Sequence, residues 1–316
     1  MAAKEIAPGV FYLPLRIANV YLIGEPGGRW ALVDAGLAGE DHKIRAAAES
    51  IYGPGSKPEA IFLTHGHPDH AGSALALAES WSVDVLAHPL ELPFLTGRSQ
   101  YPPADPTVGG FMGLLARVFK PRPPDLRPVV KAFTSKTSEL PLPGWKWIHT
   151  PGHSPGHVAL FRRWDGTLLG GDAFTTVNLN SFVASAAKLP RVSPPPAAST
   201  YDWAAARESV TRLAELQPLT LACGHGRPMS GGEAVRQLAE LAEDFRRPAY
   251  GRYVHTAAAV DQMGVVSLPP KPRDPLPAKA LGLGIVGAAG ALLAVAAARR
   301  RNNNRKPARG NIPLQA

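Results

Sequence analysis

A short stretch of the chain gathers side chains of the types that bind metal ions. Three histidines and one aspartate lie within six residues, directly after an apolar run at 61–64; they are His65, His67, Asp69 and His70. Neutral imidazole and carboxylate suit Zn²⁺, and iron or manganese fit the same donors less exclusively. A strand-to-helix turn lets several of these side chains converge on one point, whereas a regular helix would spread them around its axis. The spacing therefore predicts a metal site at this turn.

Three later patches carry the same residue types beside predicted strands. His153 stands in the turn TPGHSPGH, Asp172 in the sequence GGDAF, and His225 in the sequence CGHG. Each patch follows or ends an apolar run, so each is expected at the end of a strand. Together they supply the ligands that the turn at 65–70 lacks.

The order of the motifs HxHxDH, TPGHSPGH, GGDAF and CGHG resembles that of the metallo-β-lactamase-fold hydrolase superfamily, in its lactonase and glyoxalase-II-like branch, over residues 7–245. The resemblance implies an α/β protein, an αβ/βα four-layer sandwich, with two zinc ions at one edge. It implies a first ion held by His65, His67 and His153. It implies a second ion held by Asp69, His70 and His225, and it makes Asp172 the ligand that bridges both ions.

The predicted chemistry is the hydrolysis of a small molecule. Two metal ions that share a water lower its pKa toward 7 and yield a bridging hydroxide as nucleophile. The same ions polarise the scissile carbonyl and stabilise the developing oxyanion. Asp69 is the predicted catalytic residue, because it lies next to that nucleophile and can orient it and shuttle a proton. The predicted function is a dinuclear zinc hydrolase that cleaves an ester, a lactone or a thioester.

Three other functions are compatible with some of these residues. Hydrolysis of β-lactam antibiotics is disfavoured, because true β-lactamases of the superfamily generally lack the bridging aspartate that Asp172 supplies. A mononuclear iron dioxygenase of the persulfide dioxygenase type shares the motif set but commonly binds one iron through three ligands. A non-catalytic, membrane-tethered binding module is the third hypothesis, and the complete ligand set argues against it.

The remaining histidines and two further residues have less specific interpretations. Asp34, in the sequence LVDAG, matches a superfamily carboxylate that orients a ligand histidine, although an aspartate here could instead cap a turn. His157 is expected to be a structural neighbour in its turn, and Cys223 a small buried residue. Four histidines have no ligand-like context: His42, His88, His149 and His255.

Short strands and amphipathic helices must position these side chains, which favours a layered α/β sandwich. Antiparallel strands are predicted near the start of the chain, with a Gly-Gly hairpin pattern, and helices flank the last strand. The predicted strands are 10–13, 19–23, 30–34, 61–64, 146–150, 158–162, 167–169 and 219–223, and the predicted helices are 41–52, 73–81, 202–216 and 232–246.

Residues 89–128 interrupt this pattern with nine prolines. Within them Phe111, Leu114, Leu115 and Val118 have the i, i+3, i+4, i+7 spacing of one helix face. The segment is interpreted as an insertion whose helix is either a lid over the site or packed on the core or on a second copy.

The charge of the chain is concentrated at its end. The 316 residues carry a net charge of +9, of which six positive charges lie in 299–316 and a net two in 271–279, leaving about +1 for 1–270. A nearly neutral body does not favour binding to nucleic acid. A single cysteine excludes an internal disulfide framework.

The end of the chain is predicted to anchor the protein in a membrane. A hydrolase domain at 1–262 is followed by a Pro-rich linker at 263–279, a C-terminal hydrophobic helix at 280–298 and a basic tail at 299–316. The stretch 280–298 contains no charged residue over 19 positions, which is close to the length needed to span a bilayer. The expectation is a single-pass membrane protein with its catalytic domain in the cytoplasm.

Overall fold

The computed structural model describes residues 2–120, 122–133, 140 and 142–274. The chain divides into two units, Met1–Arg273 and Asp274–Ala316, and the elements below belong to the first. The helix predicted at 280–298 and the basic tail lie outside the described residues.

The strands are short, and those at the centre of the two main sheets are almost fully buried, as expected for runs rich in Val, Ile, Leu and Tyr. In chain order they are β1 (Lys4–Ala7), β2 (Val10–Pro14), β3 (Asn19–Ile23), β4 (Ala31–Val33), β5 (Ile61–Phe62), β6 (Val85–Ala87), β7 (Val130–Ala132), β8 (Trp145–His149), β9 (Val158–Arg162), β10 (Thr167–Gly171), β11 (Thr175–Val177), β12 (Pro190–Ser193), β13 (Thr220–Cys223), β14 (Met229–Ser230), β15 (Ala259–Asp261) and β16 (Gly264–Ser267).

The longer helices each bury one apolar face. In the first helix Ile44, Ala47 and Ala48 are buried at i, i+3, i+4 spacing, while the opposite side is charged. In chain order the helices are α1 (Asp41–Tyr52), α2 (Pro68–Ala71), α3 (Ala74–Trp81), α4 (Leu92–Leu95), α5 (Gly110–Val118), α6 (Phe182–Ala187), α7 (Trp203–Glu215) and α8 (Gly232–Glu243).

Two sheets form the body of the fold. The first has the order β1-β2-β3-β4-β5-β6-β7, antiparallel up to β4 and parallel from β4 to β7. The second has the order β14-β13-β10-β9-β8, in which only β10 and β13 run parallel. Two small sheets, β11-β12 and β15-β16, lie outside them.

The core lies between the sheets and beneath the helices. Leu32 and Val33 are neighbours on β4 and therefore point to opposite faces of the first sheet. Leu32 packs in a cluster with α1 and α3, and Val33 packs in a cluster that includes Leu160 of the second sheet. On the other face of the second sheet, Leu168 packs with α7 and α8. The mixed α/β class predicted from the sequence is confirmed.

Most predicted elements are present with small shifts at their ends. The helix at 41–52 and the strands at 19–23 and 158–162 have the predicted bounds. The hairpin pattern near the start is confirmed, because β2, β3 and β4 pair antiparallel in that order.

The proline-rich insertion contains α4, α5 and two turns of 3₁₀ helix at 89–91 and 106–108. The predicted helix face at 111–118 is α5, and its four apolar residues are half-buried or, at Val118, half-exposed. The backbone N–H of Phe111 donates to the Asn180 carbonyl at 2.9 Å, which fixes the start of α5 against the loop before α6. Whether α5 covers a substrate stays a prediction.

A small hairpin, β15-β16, spans the predicted domain end at residue 262, with β15 before it and β16 after it. The backbone N–H of Val265 donates to Ser99 Oγ at 3.1 Å, so the hairpin contacts the insertion. It includes the first residues of the predicted linker at 263–279. The predicted domain boundaries themselves stay a prediction.

The predicted membrane localisation requires a correction. Within residues 2–120, 122–133, 140 and 142–274, no helix combines the length and the apolar character that crossing a bilayer demands. This finding overturns the assignment of the protein to a membrane as a single-pass anchor. The predicted span at 280–298 lies outside those residues.

Candidate metal centre

The ends of four strands bring the predicted site residues to one edge of the fold. The turn at 65–70 follows β5 and continues into α2, while His153 lies in the turn between β8 and β9. Asp172 and His225 follow β10 and β13, which pair in parallel and therefore end side by side. Backbone hydrogen bonds join the pieces: the Val158 N–H donates to Thr64 O at 2.9 Å and the Gly224 N–H to Gly171 O at 2.8 Å.

The first predicted ligand set, called the first set below, is His65, His67 and His153. One donor nitrogen of each lies within 4.8 Å of the other two. His67 Nδ1 and His153 Nε2 are 2.9 Å apart, and the ring of His65 stands nearly perpendicular to both of theirs. Three imidazoles from two loops thus point at one small volume.

The second predicted ligand set, called the second set below, is Asp69, His70 and His225. One oxygen of Asp69 and one nitrogen of each histidine lie within 4.8 Å of one another. Asp69 Oδ2 is 3.5 Å from His225 Nε2 and 3.9 Å from His70 Nε2. The side chain of Asp69 is about one quarter exposed, whereas that of His70 is fully buried.

Asp172 lies between the two sets. Its Oδ2 atom is 3.5 Å from His153 Nε2 of the first set, and it is 3.6 Å from His70 Nε2 and 3.2 Å from His225 Nε2 of the second. The residue is buried. All seven side chains predicted from the sequence therefore meet at one place.

The lack of hydrogen-bond partners for several buried donor atoms also indicates a metal site, independently of any resemblance to a known family. Among the described residues, His65 Nε2, His70 Nε2 and Asp172 Oδ1 are buried and have no hydrogen-bond partner. Buried polar atoms are almost always paired, because an unpaired one costs about 1–3 kcal/mol. Metal coordination would satisfy these atoms, and imidazole with carboxylate is a donor set that zinc and iron both accept.

The electrostatics of the first set favour neutral imidazole, the form that binds metal. Burial lowers the pKa of His65 and of His153 well below the ordinary value, and neighbouring histidines lower it further. Burial likewise lowers the pKa of His67, to about 4. These three rings are therefore free of the competing proton at neutral pH.

The carboxylate of Asp172 dominates the electrostatics of the second set. Burial alone would raise the pKa of Asp172, but His225 and His70 lower it well below the ordinary value. Burial alone would lower the pKa of His70 and of His225, but Asp172 raises both. These shifts have one cause, the attraction between the buried carboxylate and the imidazoles beside it.

Asp34 makes the contact expected of an orienting carboxylate. Its Oδ2 atom lies 2.8 Å from His70 Nδ1, which directs His70 Nε2 toward the second set. Its Oδ1 atom accepts hydrogen bonds from the backbone N–H and the hydroxyl of Thr64, at 2.8 and 3.0 Å. The carboxylate therefore joins two parts of the ligand turn and does not merely cap a turn of its own.

His157 is a buried neighbour of the site, as predicted. Its Nε2 atom accepts a hydrogen bond from the Asp172 backbone N–H at 2.8 Å, and its Nδ1 atom lies 2.7 Å from Thr150 Oγ1. Among the described residues, the groups of side chains that could hold a metal ion do not include His157. His157 thus fixes the backbone at Asp172.

The other expectations for single residues can also be compared with the structure. His88 and His149 stack on each other with ring centroids 4.2 Å apart. Among the described residues, the groups of side chains that could hold a metal ion include none of His42, His88, His149 and His255. Cys223 is fully buried, as predicted for a small residue at a strand end.

Glu91, Tyr101 and Tyr201 also surround the site, although no pattern in the sequence predicted them. The Tyr101 ring lies 4.7 Å from the His67 ring between centroids, and Tyr201 Oη is 3.4 Å from His67 Nε2. Glu91 is fully buried and contacts the loops that carry the first set. These residues lie far from the ligands in sequence and belong to no local motif, so only the fold reveals them.

The fold is mixed α/β, and two adjoining sets of histidine and carboxylate donors lie at one edge. This combination defines a class of proteins built around a metal centre. Residues 13–225 match the Metallo-beta-lactamase superfamily. The match covers more than half of the chain, and the chain belongs to this superfamily.

Curated relatives agree with this assignment. The chain is 39% identical over 244 residues to the probable metallo-hydrolase YflN of Bacillus subtilis, a match that covers 76% of this chain and 92% of the relative. It is 24% identical over 247 residues to the probable metallo-hydrolase YqjP of the same organism, covering 70% of this chain and 72% of the relative. The resemblance proposed from the motifs is confirmed at the level of the superfamily.

Solved structures share the fold. A beta-lactamase domain protein from Burkholderia ambifaria is 25% identical with a TM-score of 0.51, covering 76% of this chain and 75% of that one. A metallo-beta-lactamase family protein from Thermus thermophilus is 24% identical with a TM-score of 0.51, covering 76% and 80%. At such identity the second likeness concerns the fold alone.

Proposed function

We propose that the protein is a dinuclear metal-dependent hydrolase that cleaves an ester, a lactone or a thioester, with zinc as the expected metal. One observation carries the proposal: the Asp172 carboxylate lies within 3.6 Å of histidine nitrogens from both ligand sets. A buried carboxylate shared by two sets is suited to joining two ions.

The proposal assigns each ligand a role. His65, His67 and His153 would hold one ion; Asp69, His70 and His225 would hold the other; and Asp172 would contact both. Two divalent ions held there would supply a water of lowered pKa and would polarise the carbonyl of the substrate. Asp34 and His157 position this set, through His70 Nδ1 and the Asp172 backbone respectively.

Asp69 is proposed as the residue that handles the proton. Its side chain is about one quarter exposed, in contrast to the buried Asp172, so its carboxylate can meet both the centre and an entering substrate. One oxygen faces His225 at 3.5 Å. The carboxylate can accept a proton from the attacking water and pass it to the leaving group.

The surroundings of the centre support a substrate with an apolar part. The aromatic rings of Tyr101 and Tyr201 lie beside His67. His225 Nδ1 lies 3.3 Å from the carbonyl oxygen of Ile17, a residue that is 56% exposed. Aromatic and apolar residues this close to the proposed ligands favour a substrate with an acyl group over a highly charged one.

Metal analysis and a substrate panel test the proposal. We expect purified protein to bind two divalent ions per chain by mass spectrometry, and to hydrolyse lactone, ester or thioester probes in preference to phosphodiesters. Asp69→Asn should lower kcat at least 100-fold in metal-loaded protein. Asp84→Asn is the matched control, because Asp84 pairs with Lys131 on the surface.

Two results would overturn the proposal. One is normal turnover by the metal-loaded Asp69→Asn variant. The other is a single iron without zinc, together with oxygen uptake, which would select a mononuclear iron dioxygenase instead.

A further inference from the structure

A buried carboxylate lies between the two loops that carry the first ligand set. Glu91 stands in the 3₁₀ turn at 89–91, at the start of the insertion, and is fully buried. Its partners belong to the turn at 65–70, to the turn between β8 and β9 and to the insertion. No cationic side chain is among its recorded hydrogen-bond or ion-pair partners.

The two oxygens of Glu91 serve different parts of the chain. Oε1 accepts hydrogen bonds from Ser154 Oγ at 2.8 Å and from the Gly156 N–H at 2.7 Å. Oε2 accepts hydrogen bonds from the Gly66 N–H at 2.9 Å and from the Tyr101 hydroxyl. One oxygen therefore holds the loop of His153, and the other holds the loop of His65 and His67.

An ionised carboxylate matches these donors in number and kind. It offers four lone-pair positions and no donor, and the structure presents four donors to it. An amide of the same shape would offer one acceptor oxygen. Its NH₂ group would face one backbone N–H, which cannot accept, and one hydroxyl, which would have to rotate in order to accept. The arrangement thus favours a carboxylate over an amide of the same size.

Two glycines make the close approach of Glu91 and its partner tyrosine feasible. A Cβ atom at Gly66 would lie 2.7 Å from the Tyr101 hydroxyl oxygen, and one at Gly156 would lie 2.8 Å from Glu91 Cγ. Real Cβ atoms essentially never come so close to a neighbour. The glycines in HGH and SPGH are explained by the space that these two side chains occupy.

We propose that Glu91 is a positioning residue for the first ligand set: by bonding both ligand loops through one carboxylate, it sets the separation of His65 and His67 from His153. The inference rests on the proposed function, because the ligands are those of the proposed metal centre. Glu91 touches no ligand side chain and acts through the loop backbones, Ser154 and Tyr101.

The test compares two isosteric changes of buried acids in the insertion. Glu91→Gln removes the four-acceptor arrangement. Asp105→Asn is the matched control, because Asp105 is also buried and accepts from the Thr107 N–H, the Thr107 hydroxyl and the Arg252 N–H, but contacts neither ligand loop. Zn²⁺ affinity is measured by chelator competition, and Co²⁺ reports the coordination of each ion by its absorption spectrum.

We expect Glu91→Gln to bind one of the two ions about 10–100-fold more weakly and to change the Co²⁺ spectrum of that ion, with the other ion retained. Asp105→Asn should bind both ions as the wild type does, even if it unfolds at a lower temperature. Ser154→Ala, which removes one donor and leaves the carboxylate, should weaken the same ion by a smaller factor and serves if Glu91→Gln does not fold.

The outcomes separate this inference from the proposed function. Wild-type protein that takes up no metal would overturn both. Wild-type protein with two ions, together with unchanged affinities and spectra in Glu91→Gln or in Ser154→Ala, would overturn the positioning role alone. Equal losses in Asp105→Asn would also overturn it, because the effect would then come from the packing of the insertion.

Discussion

Asp34 adopts a left-handed backbone conformation with φ of +62°. Few residues other than glycine accept this region, although aspartate and asparagine accept it more readily than most. Strain of this kind persists where the surroundings determine the conformation fully. Here the backbone conformation directs one carboxylate toward both His70 and Thr64. The strained conformation therefore helps to orient His70 within the second set.

Replacing Asp34 by asparagine tests this role. Asparagine tolerates the same φ, so the backbone should keep its course while the charge at His70 Nδ1 is lost. We expect the second ion to bind roughly 10–100-fold more weakly, with the first ion unaffected, as measured by chelator competition. Equal affinities for both ions in the variant and the wild type would contradict the assigned role.

Because His157 is buried, it should make the free energy of unfolding depend on pH. Burial lowers the pKa of His157 to about 3 from an ordinary 6.5, so below pH 6.5 the unfolded chain binds a proton that the folded chain does not. The stabilisation is therefore complete above pH 6.5 and is lost as the pH falls toward 3, with a slope of up to about 1.4 kcal/mol per pH unit.

Urea unfolding of metal-free protein, with a chelator present, between pH 7 and pH 4 measures this slope. The His157→Gln variant keeps an acceptor for the Asp172 N–H. In this variant the slope of the unfolding free energy against pH should decrease by up to about 1.4 kcal/mol per pH unit, the value for one proton. His42→Gln, at an exposed position of α1, is the control and should leave the slope as in the wild type. An unchanged slope in His157→Gln would argue against the assigned pKa.

The sequence identified the candidate ligands because each belongs to a local pattern. Four crowd into six residues, and His153, Asp172 and His225 each sit in a short motif beside a strand. Glu91 and Tyr101 have no such pattern, because their partners lie 25 or more positions away or within the insertion. Only the glycines beside the histidines hinted that something approaches the loops closely.

At the scale of elements, the junction after β13 depends on one glycine. A Cβ atom at Gly224 would collide with Asp172 Oδ1 and with His70 Cε1. Asn19 holds the same junction from β3, with its amide donating to Cys223 O at 2.9 Å and to Gly226 O at 2.7 Å. The strand end can therefore deliver His225 only if position 224 has no side chain.

Gly224→Ala should destabilise the fold by about 1–3 kcal/mol through overpacking and should abolish tight binding at the second ligand set. Gly232→Ala is the matched control, since no atom outside the local backbone lies within 4 Å of the added carbon. It should leave metal content unchanged and should not lower stability, because alanine restricts the unfolded chain more than glycine does. Thermal unfolding with and without chelator measures both effects, and normal metal content in Gly224→Ala would be the contrary result.

Elements with strong periodicity were predictable from the sequence, and those that depend on neighbours were not. The helix at 41–52 has a clear apolar face, and β3 is a continuous apolar run. By contrast β7, β11 and β14 have two or three residues each and form only because a partner strand is present. The single-turn helix α2 begins with Pro68 inside the ligand turn, where helical periodicity has no room to appear.

At the scale of the molecule, contacts continue beyond the predicted domain end at 262. Arg252 Nε donates to Pro269 O at 2.7 Å, and the Tyr250 hydroxyl donates to Arg273 O at 3.0 Å. Val265 donates to Ser99. These bonds connect the segment that the sequence suggested as a linker to the preceding part of the chain.

Two truncations therefore differ in their expected stability. A fragment ending at 273 should unfold as the full chain does and keep its metal content. A fragment ending at 262 loses the three hydrogen bonds and the β15-β16 pair, and it should be less stable by about 1–3 kcal/mol. Urea unfolding of both fragments measures the difference, and equal stabilities would support the boundary predicted from the sequence.

The shared position of Asp172 between two ligand sets has a consequence for biosynthesis. The first set is complete in sequence only at residue 153, the carboxylate between the sets arrives at 172, and the second set closes only at 225. A nascent chain emerging from the ribosome therefore carries six of the seven proposed ligands before the last one appears. Until the final histidine emerges and its strand joins the sheet, the growing polypeptide presents an open, incomplete chelating cluster to the cell's metal pool.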